Sequence, residues 1–390
     1  MTPTIRHISF SQAGGAGGVA NTLAAEQRSL GYDSEVVSVI NSTLRTQPMS
    51  SPLHTVAAGI DEYLLKKQQF NSSLSVIRDR VPSSIAEQIP SGSIVHLHGI
   101  NGAVSMAEVA ELSKNHRVVW TLHDMNPFTG GCHYSLGCTA FEAGCAQCPA
   151  STGLGQHLIE KSFAAKQRAW AAMDQISLVA PSQWLADLGA SSALIAGRSI
   201  GVVPNPFAQD FREHSETTEP QAPERIIVGV VAADLSDRVK NVAEAVAAFE
   251  IAKQSNPHLE LHLVGARGGE HGGATQRLGR LTGEKLKDFY STCDALVLPS
   301  LAENSPLVIT EAGSQGCLTF ARNSGGTGEL VETLGHGSTY SSVDHLAHLL
   351  SSFEPLSGKQ RRDLRVQANS VFSPAAVAKQ YDDVYAAATI

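Results

Sequence analysis

With 390 residues, the chain is too long for a single hydrophobic core, so two domains are expected. Hydrophobic residues make up 42% of it and charged residues 17%, which excludes the apolar-poor, charge-rich composition of intrinsic disorder. Lys and Arg number 29 against 37 Asp and Glu, for a net charge of -8, and that balance disfavours nucleic acid as a partner.

Residues 1–10 lack the charged, apolar and small-residue regions of a secretory signal, and no apolar run reaches the roughly 20 residues of a membrane helix. A cytoplasmic location is expected. Strand-like apolar runs then alternate with helix-length segments, the pattern of an α/β chain with parallel sheets. A strand over 5–10 leads through a glycine-rich turn at 11–18 into a helix over 19–30 and a strand over 34–39. Residues 62–80 mix Lys66, Lys67, Arg78 and Arg80 with apolar side chains and read as a surface helix, supporting at most peripheral contact with the inner face of a membrane. Buried parallel strands are expected at 93–98, 117–122 and 176–180. A polar, proline-bearing linker at 207–224 closes a first domain of 1–206. The second domain, 225–372, contributes strands at 225–231, 259–264, 295–299 and 318–321, with helices at 242–254, 284–293 and 306–316. An amphipathic helix within 373–390 ends the chain.

Four features carry chemistry. Gly15, Gly17 and Gly18, in a turn between strand and helix, let backbone N–H groups approach a phosphate. Glu303 and Glu311 are separated by seven residues near the end of a strand, where paired carboxylates suit the hydroxyls of a sugar or ribose; the helix start at Pro306 offers free N–H groups to a diphosphate. His123 and Asp124 follow the strand at 117–122, and His98 ends the strand before it; His96 alternates away and reads as buried structure. Cys132, Cys138, Cys145 and Cys148, spaced C-x5-C-x6-C-x2-C in a loop over 130–150, match the ligand count of a closed tetrahedral zinc site, with an iron–sulfur cluster as the alternative.

Together the glycine loop, Pro204-Asn205, the Glu303-x7-Glu311 motif and the run from Leu296 to Glu329 resemble the retaining, nucleotide-sugar-dependent glycosyltransferases of family 4. The resemblance covers nearly the whole chain. It implies a GT-B fold: two Rossmann-like, doubly wound domains facing a central cleft, the first for acceptor and the second for donor, with the last helix crossing back to the first. It further implies that Glu303 binds donor sugar hydroxyls, Glu311 the ribose, Lys240 the diphosphate, and His123 the donor sugar near the reacting carbon, with Asp124 orienting His123 or touching the acceptor and His98 lining the acceptor side. Asn304, Ser305, Pro306 and Leu307 would complete the donor site, and backbone near Leu281 and Thr282 would meet the base. The family's diphosphate Arg is replaced by Ala233-Asp234-Leu235, so Arg238 is the candidate substitute. The implied donor is a nucleoside-diphosphate sugar, a UDP-sugar ahead of a GDP-sugar, with no catalytic metal. The acceptor would be a glycan, a lipid-linked species or a small molecule. The thr-leu-his-asp form at 121–124 resembles a subgroup acting in exopolysaccharide and cell-envelope glycan assembly. Two rival readings keep the fold: a non-catalytic sugar-nucleotide or partner-binding protein, and a nucleotide-sugar epimerase.

Overall fold

The computed structural model describes residues 4–40, 74–76, 89–101, 104–173, 175–212, 225–267 and 276–388. The expected surface helix at 62–80 lies outside these apart from 74–76. The chain divides into two compact units, Met1–Pro204 with Val377–Ile390, and Asn205–Ala376.

In the first unit six parallel strands stand in the order β2-β1-β3-β4-β5-β6. They are β1 (Thr4–Ser11), β2 (Asp33–Ile40), β3 (Ile94–Leu97), β4 (Arg117–Thr121), β5 (Ile176–Ala180) and β6 (Ile200–Val202). Among the described residues its helices include α1 (Gly14–Ser29), α2 (Met106–Asn115), α3 (Leu154–Ala171) and α4 (Gln183–Ser191), and from Val377 onward the last helix of the chain belongs to it as well. The buried strands β3 and β4 run apolar nearly throughout, as strands covered on both faces must. The core gathers Val95, Leu97, Val118, Trp120, Phe128, Ile159 and Trp170, with the Trp120 and Trp170 rings stacked at 5.3 Å.

The second unit repeats the plan with β7 (Ile226–Asp234), β8 (Leu259–Ala266), β9 (Gln276–Gly279), β10 (Ala295–Leu298), β11 (Leu318–Arg322) and β12 (Gly337–Tyr340), in the order β12-β11-β10-β7-β8-β9. Read from the other edge this is the 3-2-1-4-5-6 order of a doubly wound sheet, which reverses direction between β7 and β10. Its helices are α5 (Val242–Lys253), α6 (Glu284–Thr292), α7 (Leu307–Ser314), α8 (Thr327–Leu334), α9 (Val343–Ser351) and α10 (Gly358–Phe372), and α11 (Pro374–Ala387) follows. A separate core centres on Val228, Leu261, Tyr290, Val297 and Ile309. Arg361 fixes α10 to the sheet by donating to Asp294 at 2.6 Å and to the Cys293 carbonyl at 3.2 Å.

Two differences from the sequence expectation have physical causes. The expected linker at 207–224 is described only to residue 212, and there Phe207 and Phe211 are buried in the second core, because two aromatic rings outweigh a polar neighbourhood in deciding where a segment goes. The glycine-rich turn is shorter than expected, since α1 already begins at Gly14. Among the described residues no helix is long and apolar enough to cross a membrane.

The glycines of that segment are not equivalent. A Cβ on Gly17 would lie 2.1 Å from the Ser11 carbonyl oxygen, whereas nothing lies within 4 Å of one on Gly15 or Gly18. Gly17 therefore serves the close approach of helix to strand. Gly17→Ala should destabilise the protein by about 2 kcal/mol, while Gly18→Ala, inside the helix and unobstructed, should stabilise by about 0.5–1 kcal/mol. Denaturant unfolding of both variants checks this pair of opposite signs.

Candidate functional site

In the second unit the segments after β7 and β10 come together. The chain leaves β7 into a short 3₁₀ turn, Arg238–Lys240, whose cap Asp237 accepts from the Val239 amide at 2.9 Å. The Leu301 amide donates to the Val239 carbonyl at 2.8 Å and stitches the two segments. Across them Lys240 Nζ donates to Glu303 Oε1 at 2.6 Å, with Glu303 buried and Lys240 partly exposed. Gly325, at φ +63°, lets the backbone pass over the Glu303 carbonyl, where a Cβ would sit 1.8 Å from that oxygen, and the Gly326 amide donates to it at 3.0 Å. Glu303 is thus held from the side chain and from the backbone.

Asn304, Ser305 and Pro306 lead straight into α7. Pro306 caps it and, being proline, contributes no side-chain hydrogen bond to the N–H groups of the first turn, which carry a partial positive charge. Glu311 lies in the same helix and is buried, accepting from Tyr290 Oη at 3.5 Å. Burial raises its carboxyl to about 7, partly offset by the Tyr290 hydroxyl. Arg238 is exposed, as is Thr282, with Leu281 half-buried; the latter pair lies between β9 and α6. Lys240, Glu303 and the segment entering α7 therefore belong to one constellation of the second unit, while Glu311 lies further along α7 against Tyr290.

In the first unit the residues after β4 form a second constellation. His133 Nδ1 bonds Asp124 Oδ2 at 2.6 Å, and Asp124 Oδ1 accepts from the Asn126 amide at 2.8 Å. Burial works to raise the Asp124 carboxyl, but the His133 ring and the Asn126 amide overcome it and hold it below the usual range. His123 is only partly exposed, and burial brings its ring down to about 4. Its Nε2 lies 2.9 Å from His98 Nδ1, and His98 Nε2 lies 2.9 Å from His7 Nδ1. His98 is buried and spends both ring nitrogens on other histidines, so it reaches a ligand only through His123.

Protonation along this chain follows from Gln27. Its Nε2 donates to Tyr385 Oη at 3.0 Å, leaving Oε1 to accept from Ser34 Oγ at 2.7 Å and from His7 Nε2 at 2.8 Å. Burial keeps His7 at about 4 and His98 well below the usual histidine range. Each neutral ring donates from one nitrogen and accepts at the other. His7 carries its proton on Nε2, His98 follows, and so does His123. His96 joins the same cluster, bonding Tyr385 Oη and Thr121 Oγ1 at 2.8 Å each. His7, His96 and His98 offer ligand atoms all within 4.8 Å of one another, but hydrogen bonds already occupy these nitrogens.

The sequence reading missed His7, Gln27, Tyr381 and Tyr385. A histidine in β1, one in β3 and one two residues later, just past its end, were the available signal; their meeting depends on the register that pairs His7 with His96.

The four cysteines, all free thiols, line one small cavity with Leu74, Phe141 and Ile159. Burial pushes the Cys132 thiol up to about 11 and that of Cys145 up to about 12.

Residues 212–370 match the family model described as glycosyl transferases group 1. WcaC of Escherichia coli (strain K12), described as a colanic acid biosynthesis glycosyl transferase, is 25% identical over 358 residues, 85% of this chain and 86% of that protein. Sucrose-phosphate synthase from Thermosynechococcus elongatus shares 16% identity at a TM-score of 0.62, covering 98% of each chain. Anabaena HepE, solved in complex with UDP-glucose, shares 14% identity at a TM-score of 0.58, covering 98% of this chain and 99% of its own. The fold these likenesses give is GT-B.

Two outcomes test this geometry. Glu311 binds its proton more tightly folded than unfolded, so its contribution should be full below pH 4.5 and decline as pH rises through about 7. The loss amounts to about 3 kcal/mol. Glu311→Gln should flatten that decline in denaturant melts taken from pH 5 to pH 8, and an unchanged slope would count against a raised carboxyl. In the histidine chain, ¹⁵N spectra at neutral pH should show His123 as the Nε2–H tautomer. Gln27→Leu, which removes the terminal acceptor, should turn it into a mixture of tautomers; a pure Nδ1–H form in the unaltered protein would refute the assignment.

Proposed function

We propose that this chain, whose residues 212–370 match the group 1 glycosyl transferase model on a GT-B fold, is a retaining hexosyltransferase of exopolysaccharide or cell-envelope glycan assembly. It moves a hexose or N-acetylhexosamine from a nucleoside diphosphate to an acceptor hydroxyl on a glycan, lipid-linked or small-molecule acceptor. Support for the pathway comes from the likeness to WcaC, and support for UDP as the nucleotide from HepE, solved with UDP and UDP-glucose.

The observation that carries the reading is the 2.6 Å Lys240–Glu303 pair beside the uncapped start of α7. Cleavage of the sugar–phosphate bond leaves extra negative charge on the diphosphate. A fixed ammonium and helix N–H groups stabilise that charge without reorganising during the reaction. In this reading Lys240 turns toward the diphosphate when donor binds, with Arg238 as the nearby second cation, and Glu303 exchanges the ammonium for donor hydroxyls. Asn304, Ser305 and Leu307 contribute backbone to the same site, Gly15 and Gly18 leave open space for phosphate, and Leu281 and Thr282 meet the base. Glu311, close to half-protonated at neutral pH, can both donate to and accept from ribose hydroxyls. His123 is neutral and presents its ring to the reacting sugar, with Asp124 on the acceptor side. Retention follows if the acceptor attacks from the face the diphosphate leaves, and the departing phosphate oxygen takes the acceptor proton. No metal is assigned to the donor site.

Purified protein incubated with a panel of UDP- and GDP-sugars and polysaccharide-repeat acceptors tests the reading. Transfer should occur from a UDP-sugar, and Lys240→Ala and Glu303→Gln should each lower kcat/KM by about 10²–10³. Binding of UDP-sugars without any transfer, or acceptor-independent release of free sugar, would replace the transferase with a binding protein or an epimerase.

A further inference from the structure

The loop after the first-unit constellation holds its four cysteines in a manner that the glycosyl transfer chemistry does not use. Their side chains converge on a cavity of about 20 Å³, room for one water-sized particle, whose remaining walls are largely apolar. Two of the four sulfurs receive a backbone hydrogen bond. Gly130 N–H donates to Cys145 Sγ at 3.1 Å and Ala140 N–H to Cys138 Sγ at 3.4 Å. The Ser151 amide donates to the Cys148 carbonyl at 3.2 Å and ties down that end of the loop. Neutral thiols are weak acceptors, whereas metal-bound thiolates are ordinarily oriented by such donors.

The backbone is shaped to the same end. Of the five described non-glycine residues at positive φ, Leu136, Cys145 and Gln147 lie in this loop. Such positions are costly and persist where the surroundings enforce them. The buried ammonium of Lys166, which donates to the Asn126 and Thr129 carbonyls at 2.5 and 3.0 Å, acts electrostatically on both Cys132 and Cys145. It supplies one positive charge beside a cluster that becomes anionic on losing its protons.

We propose that Cys132, Cys138, Cys145 and Cys148 bind one zinc ion as four thiolates, and that this ion positions the Asp124–His133 pair next to His123. Binding displaces four thiol protons to solvent and forms four Zn–S bonds with no redox change, leaving a complex of net charge -2. The sulfurs are not as closely drawn together as the ring nitrogens of His7, His96 and His98, so the loop contracts on the ion. Zinc is preferred to an iron–sulfur cluster because the enclosed space is that of one particle. The path to the site is short: Cys132 precedes His133, whose carbonyl accepts from the Met125 amide at 3.1 Å and whose ring bonds Asp124. Thr129 Oγ1 donates to the Cys132 carbonyl at 2.9 Å, and Asn126 Nδ2 to that of Gly131 at 2.9 Å. The metal site stands on this loop alone; its bearing on catalysis rests on the transferase reading.

The full chain, purified without a metal-binding tag from zinc-replete cells, should contain one zinc per molecule. Cobalt replacement should give the visible d–d and near-ultraviolet sulfur-to-cobalt bands of a tetrahedral thiolate site. A mercurial titration should release the zinc as four thiols react. Cys148→Ala should lose the ion, and if that variant fails to fold, Cys148→His should retain it with an altered cobalt spectrum. In ¹⁵N spectra, removing zinc should shift the His133 ring signals while the folded signals of the second unit stay in place. Substoichiometric zinc with all cysteines titratable in the native protein, or the broad visible absorption of an iron–sulfur cluster, would overturn the site. Unmoved His133 signals in the metal-free protein would overturn the positioning role. None of these readouts depends on a sugar donor, so failure of the transferase reading leaves the metal test intact, and the reverse holds too.

Discussion

The second unit depends on one constraint: β7 and β10 are neighbours where the sheet reverses its order. Parallel pairing at Ala295–Val228 and Leu296–Gly229 aligns the two strands, and the segments that follow them are joined by the Leu301 amide donating to the Val239 carbonyl at 2.8 Å. That adjacency sets Lys240 against Glu303 across 63 positions of sequence. The pair is a poor stabilising device, because taking both charges partly out of water offsets most of their attraction. Its worth lies in being exchangeable. A ligand offering hydroxyls to the carboxylate and phosphate to the ammonium can replace the pair without leaving either charge unsatisfied.

The first unit solves the opposite problem. Its histidines are deeply buried, and a buried polar group without a partner costs about 1–3 kcal/mol. The network of His7, His96, His98, Gln27, Thr121, Tyr381 and Tyr385 satisfies them through one another. Two of the partners come from α11, at the far end of the chain, so the last helix is a component of this core. The consequence reaches His123, since a satisfied, alternating chain of donors and acceptors leaves the ring little freedom to reverse.

The sequence made the sheet plan legible because buried parallel strands announce themselves as apolar runs, and 295–299 or 117–122 could hardly be anything else. The Glu303-x7-Glu311 spacing was equally readable, since a loop carboxylate followed by one within a helix is a local pattern. Phe207 and Phe211 were not, because their burial is decided by the core they enter and not by their polar neighbours. The histidine network was unreadable for a deeper reason: His7, His98 and Tyr385 meet through strand register and a helix returning from the end of the chain, and neither leaves a local signature. The cysteine spacing showed a cluster, but only the fold shows that donors from Gly130 and Ala140 point at the sulfurs.

The two glutamates of the motif are chemically alike and differ only in surroundings. Glu303 faces an ammonium at 2.6 Å; Glu311 faces a phenol at 3.5 Å inside a helix packed on the core. Burial brings Glu311 to about 7, so the protein divides identical side chains into a carboxylate held by a cation and a carboxyl able to donate as well as accept. Environments that separate the behaviour of paired carboxyls are a means of giving them separate roles. Under the proposed function that division suits a nucleotide sugar: the residue among charges would meet the charged and reacting end, and the buried residue would meet the uncharged ribose, where a fixed negative charge is costly to keep.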